Sequence, residues 1–193
     1  GSSLRGLHLP KVWLGGVGGP GVGLLTAPNA WLGGTWAATF GEGAVSSAVL
    51  RKLCLDSCGL KGPFPELRLP ALEVLDLSHN RLSGGLNLLQ SCTALRFLAL
   101  SLNGLTGGLE PLQRCTALEE LWLGGNRLTG GLAPLRGCTA LKVLFLGGNQ
   151  LTGGLEPLRG CTVLRELYMD NTGLVPTHED AVRFRDAFRD AFR

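Results

Sequence analysis

A block of 23 residues recurs along this chain with its apolar skeleton intact. The rows LEVLDLSHNRLSGGLNLLQSCTA from Leu72, LRFLALSLNGLTGGLEPLQRCTA from Leu95, LEELWLGGNRLTGGLAPLRGCTA from Leu118 and LKVLFLGGNQLTGGLEPLRGCTV from Leu141 align without a gap. A shorter copy starts at Leu50 (LRKLCLDSCGLKGPFPELRLPA), and a last one opens at Leu164 (LRELYMDNTGL). A period of this size means that each unit has an apolar face only its neighbours can bury, so the chain must stack as a solenoid. Within each row the L-x-L alternation makes one face of a short strand apolar. Coils stacked about 4.8 Å apart turn these strands into a parallel sheet whose leucines fill a shared core.

After the strand the chain must turn without leaving its amide groups unpaired. Asn80, Asn103, Asn126 and Asn149 stand where a buried side-chain amide can bond to turn backbone, so they are expected to form a ladder. Cys58 and Thr172 hold that place in the flanking units, where fewer hydrogen bonds predict looser coils. The 30 glycines of the chain are read as periodic turns, because Gly-Gly recurs once per unit. Pro111, Pro134 and Pro157 stiffen the return segment, which is expected to form a short 3₁₀ turn. Cys92, Cys115, Cys138 and Cys161 recur near its end, where a small apolar side chain plugs the core. Side chains stacked in register point the same way and do not converge, which favours packing by reduced thiols over a metal or disulfide role.

Four units meet the pattern L-x-x-L-x-L-x-x-N/C-x-L in full and two nearly so, and over residues 50–174 the chain resembles the leucine-rich-repeat family. The resemblance implies an α/β-type solenoid, a horseshoe with a parallel β-sheet on its concave face and short 3₁₀ or irregular convex returns, closed by a C-terminal cap helix. The whole chain, 1–193, is read as one leucine-rich-repeat domain. Residues 1–49 form degenerate N-terminal repeats or a cap, 50–174 the regular repeats of 22–23 residues, and 175–193 the cap helix. Counting back by 23 from Leu50 reaches Ala27 and Leu4, while an alternative alignment matches Trp13 and Trp31 to Trp122. At the other end Thr177 to Asp180 resembles a capping box. Ala181, Phe184, Phe188, Ala191 and Phe192 then fall on one helical face.

The formal charge of +3 is spread along the chain with acids near bases, which gives no basic stripe for nucleic acid. Residues 12–40 carry no charge, but their glycines, Pro20 and Pro28 argue against a membrane span. Gly16 to Gly21 matches G-x-G-x-x-G, yet Pro20 follows where a helix would have to open, so no dinucleotide site is expected. His8, His79 and His178 lie in unrelated units without metal-ligand spacing. Adjacent carboxylates such as Glu119-Glu120 and Glu179-Asp180 are read as surface charge. No catalytic residue, cofactor or metal is therefore expected, and the chain is read as a non-enzyme. It lacks an Asn-x-Ser/Thr site and the end-stapling cysteine pairs common in secreted arrays of the family, which leans towards a cytoplasmic setting. An extracellular ectodomain is the alternative. The Gly1-Ser2-Ser3 start suggests a tag scar or a piece of a longer protein.

The units from Leu118 and Leu141 differ at only six positions, three of them on the strand: Glu119/Lys142, Glu120/Val143 and Trp122/Phe145. A constant scaffold with divergent outward residues is what a grafted binding surface looks like. The fifth position of each unit faces outward, giving Cys54, Asp76, Ala99, Trp122, Phe145 and Tyr168 in order. A protein partner is expected on this stripe, with Trp122, Phe145 and Tyr168 as anchors, Val143 beside them, and Glu120, Glu166, Lys142 and Arg165 as a charged rim. The resemblance supports the same expectation, since concave faces in the family usually carry ligands. A binding module is favoured over a receptor ectodomain or a regulatory fragment of a multidomain enzyme. A monomer is expected, with a homodimer through the concave face as the open alternative.

Overall fold

The computed structural model describes residues 24–26, 35, 45–64 and 66–185. Seven parallel strands, one per coil, build the main sheet: Leu24–Thr26, Lys52–Cys54, Val74–Asp76, Phe97–Ala99, Glu120–Trp122, Val143–Phe145 and Glu166–Tyr168. Register follows the repeat, so that Leu53, Leu75, Leu98, Leu121, Leu144 and Leu167 stand side by side. Each of these leucines is at most 1% exposed, and they are continuous with the other framework leucines in one core.

The first strand corrects the register expected for the N-terminal stretch. Leu24 pairs with Lys52, a separation of 28 residues, whereas the count by 23 that reaches Ala27 puts this strand around residue 29. The coil before Leu50 is thus longer than the regular period. The G-x-G-x-x-G stretch, Leu4, Trp13, Ala27 and Trp31 lie outside the described residues.

The return segment does more than form a 3₁₀ turn. Directly after the four asparagine turns, and after Cys58 and Thr172 in the flanking coils, a second parallel sheet forms, from Lys61–Pro63, Arg81–Gly84, Gly104–Gly107, Arg127–Gly130, Gln150–Gly153 and Gly173–Leu174. One leucine in each of the last five strands points into the core, Leu82, Leu105, Leu128 and Leu151 being fully buried, while Thr106, Thr129 and Thr152 face solvent. The first glycine of each Gly-Gly pair ends the strand with left-handed backbone, φ being +82° at Gly130 and +100° at Gly153. Only then do the expected 3₁₀ turns follow, at Leu86–Leu89, Glu110–Leu112, Ala133–Gly137 and Glu156–Gly160, three of them with proline in the first turn.

Two internal ladders join the coils. Asn126 Nδ2 donates to the carbonyls of Leu123 in its own coil (2.9 Å) and Leu100 in the previous one (3.0 Å), and its Oδ1 accepts from the Leu105 amide (3.1 Å). Asn80, Asn103 and Asn149 make the same cross-coil bonds. Thr172 instead donates to Met169 in its own coil (2.6 Å). In the cysteine ladder, Cys115, Cys138 and Cys161 each direct Sγ at the carbonyl of the cysteine one coil back, at 3.3–3.5 Å.

At the C-terminal end the capping box is formed. Thr177 Oγ1 accepts from the Asp180 amide (3.1 Å), and the Asp180 carboxylate accepts from the Thr177 amide (2.9 Å). The helix His178–Arg183 follows, with Phe184 buried at its end. Asp180 is 1% exposed, so it is a structural cap and not the surface charge its sequence context suggests. Phe188, Ala191 and Phe192 lie outside the described residues. Among the described residues no helix is long and apolar enough to cross a membrane.

Candidate binding surface

A strand whose leucines at the first, fourth and sixth positions point inward must turn its third and fifth positions outward. The parallel register converts these positions into rows. Along the fifth-position row Asp76, Ala99, Trp122, Phe145 and Tyr168 stand in line, and along the third-position row Val74, Phe97, Glu120, Val143 and Glu166.

The three aromatics form a continuous stack. The Trp122 and Phe145 ring centroids are 5.2 Å apart with planes 13° from parallel, and those of Phe145 and Tyr168 are 4.5 Å apart at 29°. All three side chains are half-buried. Phe145 has a ring on either side, so it presents an edge to solvent, and that electropositive rim favours carbonyl oxygens or the faces of incoming rings. Backbone geometry clears room for the stack, since a Cβ on Gly124 would come within 3.0 Å of Phe145 Cδ1. Trp122 is oriented by its indole N–H, which donates to Glu120 Oε2 at 3.1 Å.

The eight residues expected to meet a partner divide between three rows. Trp122, Phe145 and Tyr168 occupy the fifth position, and Glu120, Val143 and Glu166 the third. Lys142 and Arg165 fall at the second position, just before the strands. Lys142 is tied with Arg96 to Glu119 between them. Hydrogen bonds from Lys142 and Arg96 hold the Glu119 carboxyl below the usual carboxylate range. Lys142 therefore belongs first to a charge ladder that clamps neighbouring coils, to which Arg51 and Glu73 add a similar pair. His79 also links coils, its Nδ1 lying 2.8 Å from Asp56 Oδ1.

Two apolar contributors escaped the reading of the fifth position. Phe97 is half-buried beside Glu120 in the third row, where its place in the L-x-x-L-x-L pattern could have flagged it. Leu102 is 54% exposed, with left-handed backbone at φ +54° and its side chain over Gly125. Its place, the eighth of the unit, is a variable one in the repeat and is held elsewhere by Ser57, His79, Gly125, Gly148 and Asn171, so the register could have flagged it.

The six cysteines form no disulfide. Burial pushes the Cys115 thiol up to about 11 and that of Cys138 to about 12. Among the described residues no group of three or more His, Cys, Asp or Glu side chains is arranged to hold a metal ion.

In-register coils, a continuous leucine core and an asparagine ladder define a solenoid repeat protein with one sheet turned outward. The Leucine Rich Repeat family model matches residues 71–92. No curated protein sequence matches the chain. Among solved structures, it is similar to the leucine-rich-repeat ectodomain of the membrane receptor kinase GASSHO1/SCHENGEN3 from Arabidopsis thaliana, solved with CASPARIAN STRIP INTEGRITY FACTOR 2. That similarity has 30% identity and a TM-score of 0.60 over 68% of this chain and 17% of that one. It is also similar to the plant peptide hormone receptor RGFR1, solved with RGF2, at 25% identity and a TM-score of 0.64 over 72% of this chain and 23% of that one. A shorter neighbour is the BIR2 ectodomain from Arabidopsis thaliana, at 28% identity and a TM-score of 0.55 over 66% of this chain and 69% of that one. The chain spans about a fifth of the first two ectodomains. Repeat and fold are those of a leucine-rich-repeat protein.

Proposed function

We propose that the protein is a non-catalytic recognition module that binds a protein or peptide partner on its concave sheet. The observation that carries this reading is the stack of Trp122, Phe145 and Tyr168, three half-exposed rings in line on a scaffold whose core, built mainly of leucines, does not include them. Aromatic rings lose little rotamer freedom on contact and supply large apolar areas, which suits them as anchors. Val143 extends the apolar floor, Glu120 fixes the Trp122 ring, and Glu166 and Arg165 edge the last coil. Lys142 contributes to the rim while it clamps Glu119.

The likeness to receptor ectodomains, two of them solved with a bound factor or hormone, supports a peptide or protein as the ligand. It also favours the ectodomain alternative and lends no support to a cytoplasmic setting. The test is capture of binding proteins by the wild-type chain beside a Trp122→Ala, Phe145→Ala, Tyr168→Ala variant, both shown folded by circular dichroism. Each captured protein is then purified and rebound. A protein that rebinds the wild type and not the variant supports the aromatic row; equal binding moves the site to another face.

A further inference from the structure

Resting on the concave-face reading, we propose that the bound segment is a polyproline-II-like stretch with cationic side chains three residues apart. Over its last four members the third-position row alternates apolar and acidic residues: Phe97, Glu120, Val143, Glu166. Neighbouring strands are about 4.8 Å apart, which places the Glu120 and Glu166 backbones roughly 9.6 Å from each other with Val143 between them. A polyproline II helix advances about 9.3 Å in three residues and brings residues i and i+3 onto the same edge. In a flat strand, i and i+3 point to opposite faces. Such a segment lies with its third edge along the acidic row and its remaining side chains on the rings beside it, the way aromatic-lined grooves take this helix.

The charge of the groove is a matter of placement, because the whole chain carries +3. Asp56, Asp76, Glu120, Glu166 and Asp170 occupy the third, fifth and seventh positions, where Lys52 is the cation among the described residues. The other basic side chains stand elsewhere. Lys61, Arg81 and Arg127 open strands of the second sheet, while Arg51, Arg96 and Lys142 are bound to Glu73 and Glu119 at the second position. Arg165 stands in the second row as well, next to Glu166 in sequence. The Glu120 carboxylate is oriented before any ligand arrives, since one oxygen accepts from Trp122. Glu166 is exposed and has no ion-pair partner among the described residues.

The test uses end-blocked nine-residue proline peptides, titrated calorimetrically against the whole chain at low salt. One carries arginines at its third and sixth positions, the second at its third and fourth, and the last has glutamates at the third and sixth. The first is expected to bind tightest, and Glu120→Gln with Glu166→Gln should weaken it roughly tenfold, the effect of losing two partly exposed charge pairs. Glutamine keeps an acceptor for the Trp122 indole, so the aromatic row stays in place. Absent binding, equal binding of the two arginine peptides or binding of the glutamate peptide overturns the proposal. Binding that the glutamine variant leaves unchanged but the triple aromatic variant abolishes also overturns it, while leaving the concave-face reading intact.

Discussion

At the scale of single residues, the asparagines and cysteines share one geometry, a side chain bonded to the backbone of the previous coil, but have different chemistry. Removing Asn126 orphans the Leu105 amide in a position only 7% exposed, while the carbonyls of Leu100 and Leu123 keep their donors Asn103 and Asn149; an unsatisfied buried group costs about 1–3 kcal/mol. Asn126→Ala should therefore lose about 1–3 kcal/mol in urea unfolding, and a loss below about 1 kcal/mol would show the ladder to be replaceable by water. The thiols set a pH limit. Their folded pKa values are raised, to about 11 at Cys115 and about 12 at Cys138, from the ordinary 9.0. The folded state then holds protons that the unfolded chain releases, so this contribution is complete below pH 9.0 and is lost as pH rises from there through 11 and 12. Melting temperature should fall across that alkaline window. A native-state thiol reagent near pH 8 should label half-buried Cys54 well before the four ladder cysteines.

Elements of the repeat were legible in proportion to how much of their stability lies in side chains. The main-sheet strands, proline-started turns and capping box each follow from a pattern that burial or a cap requires, and all three are present. The second sheet was not legible, because its strands offer one inward leucine between a polar residue and Thr-Gly. That composition reads as a turn, and only the neighbouring coil turns it into a strand. The long first coil was hidden for a related reason, as its strand Leu24–Thr26 carries no L-x-x-L-x-L frame. In the candidate surface, the aromatic row was visible as divergence on a constant frame. The tie between Lys142 and Glu119 was not, since it joins residues 23 apart that only stacking brings together. Two substitutions test the strand elements. Leu144→Ala opens a cavity in a fully buried row and should cost about 2–5 kcal/mol. Gly124→Ala puts a methyl at 3.0 Å from the Phe145 ring and 3.3 Å from the Gly147 carbonyl oxygen, so it should disturb the aromatic stack far more than the core. Near-ultraviolet circular dichroism should change while the far-ultraviolet spectrum does not; an unaltered aromatic signal would mean that the ring has room to slide.

At the scale of the whole molecule, a solenoid is nearly one-dimensional, and its stability is close to a sum of unit and interface contributions. One whole period can then leave without exposing the core, provided the cut respects the register. Deleting residues 141–163 joins Ala140 to Leu164 and sets Glu166-Leu167-Tyr168 directly beside Glu120-Leu121-Trp122, leucine on leucine and an asparagine turn on a threonine turn. The shortened chain should fold with a lower melting temperature, while a deletion one residue shorter or longer should fail, because a slip of one residue turns the leucines outward. Function should respond differently from stability. The deletion removes Phe145 and Val143 and brings the Glu120 and Glu166 backbones from roughly 9.6 Å to about 4.8 Å apart. Arginines three residues apart should then lose their advantage over adjacent ones in a folded protein that still carries both carboxylates. If the deleted chain kept the original preference, the spacing of the acidic row would not be what the ligand reads.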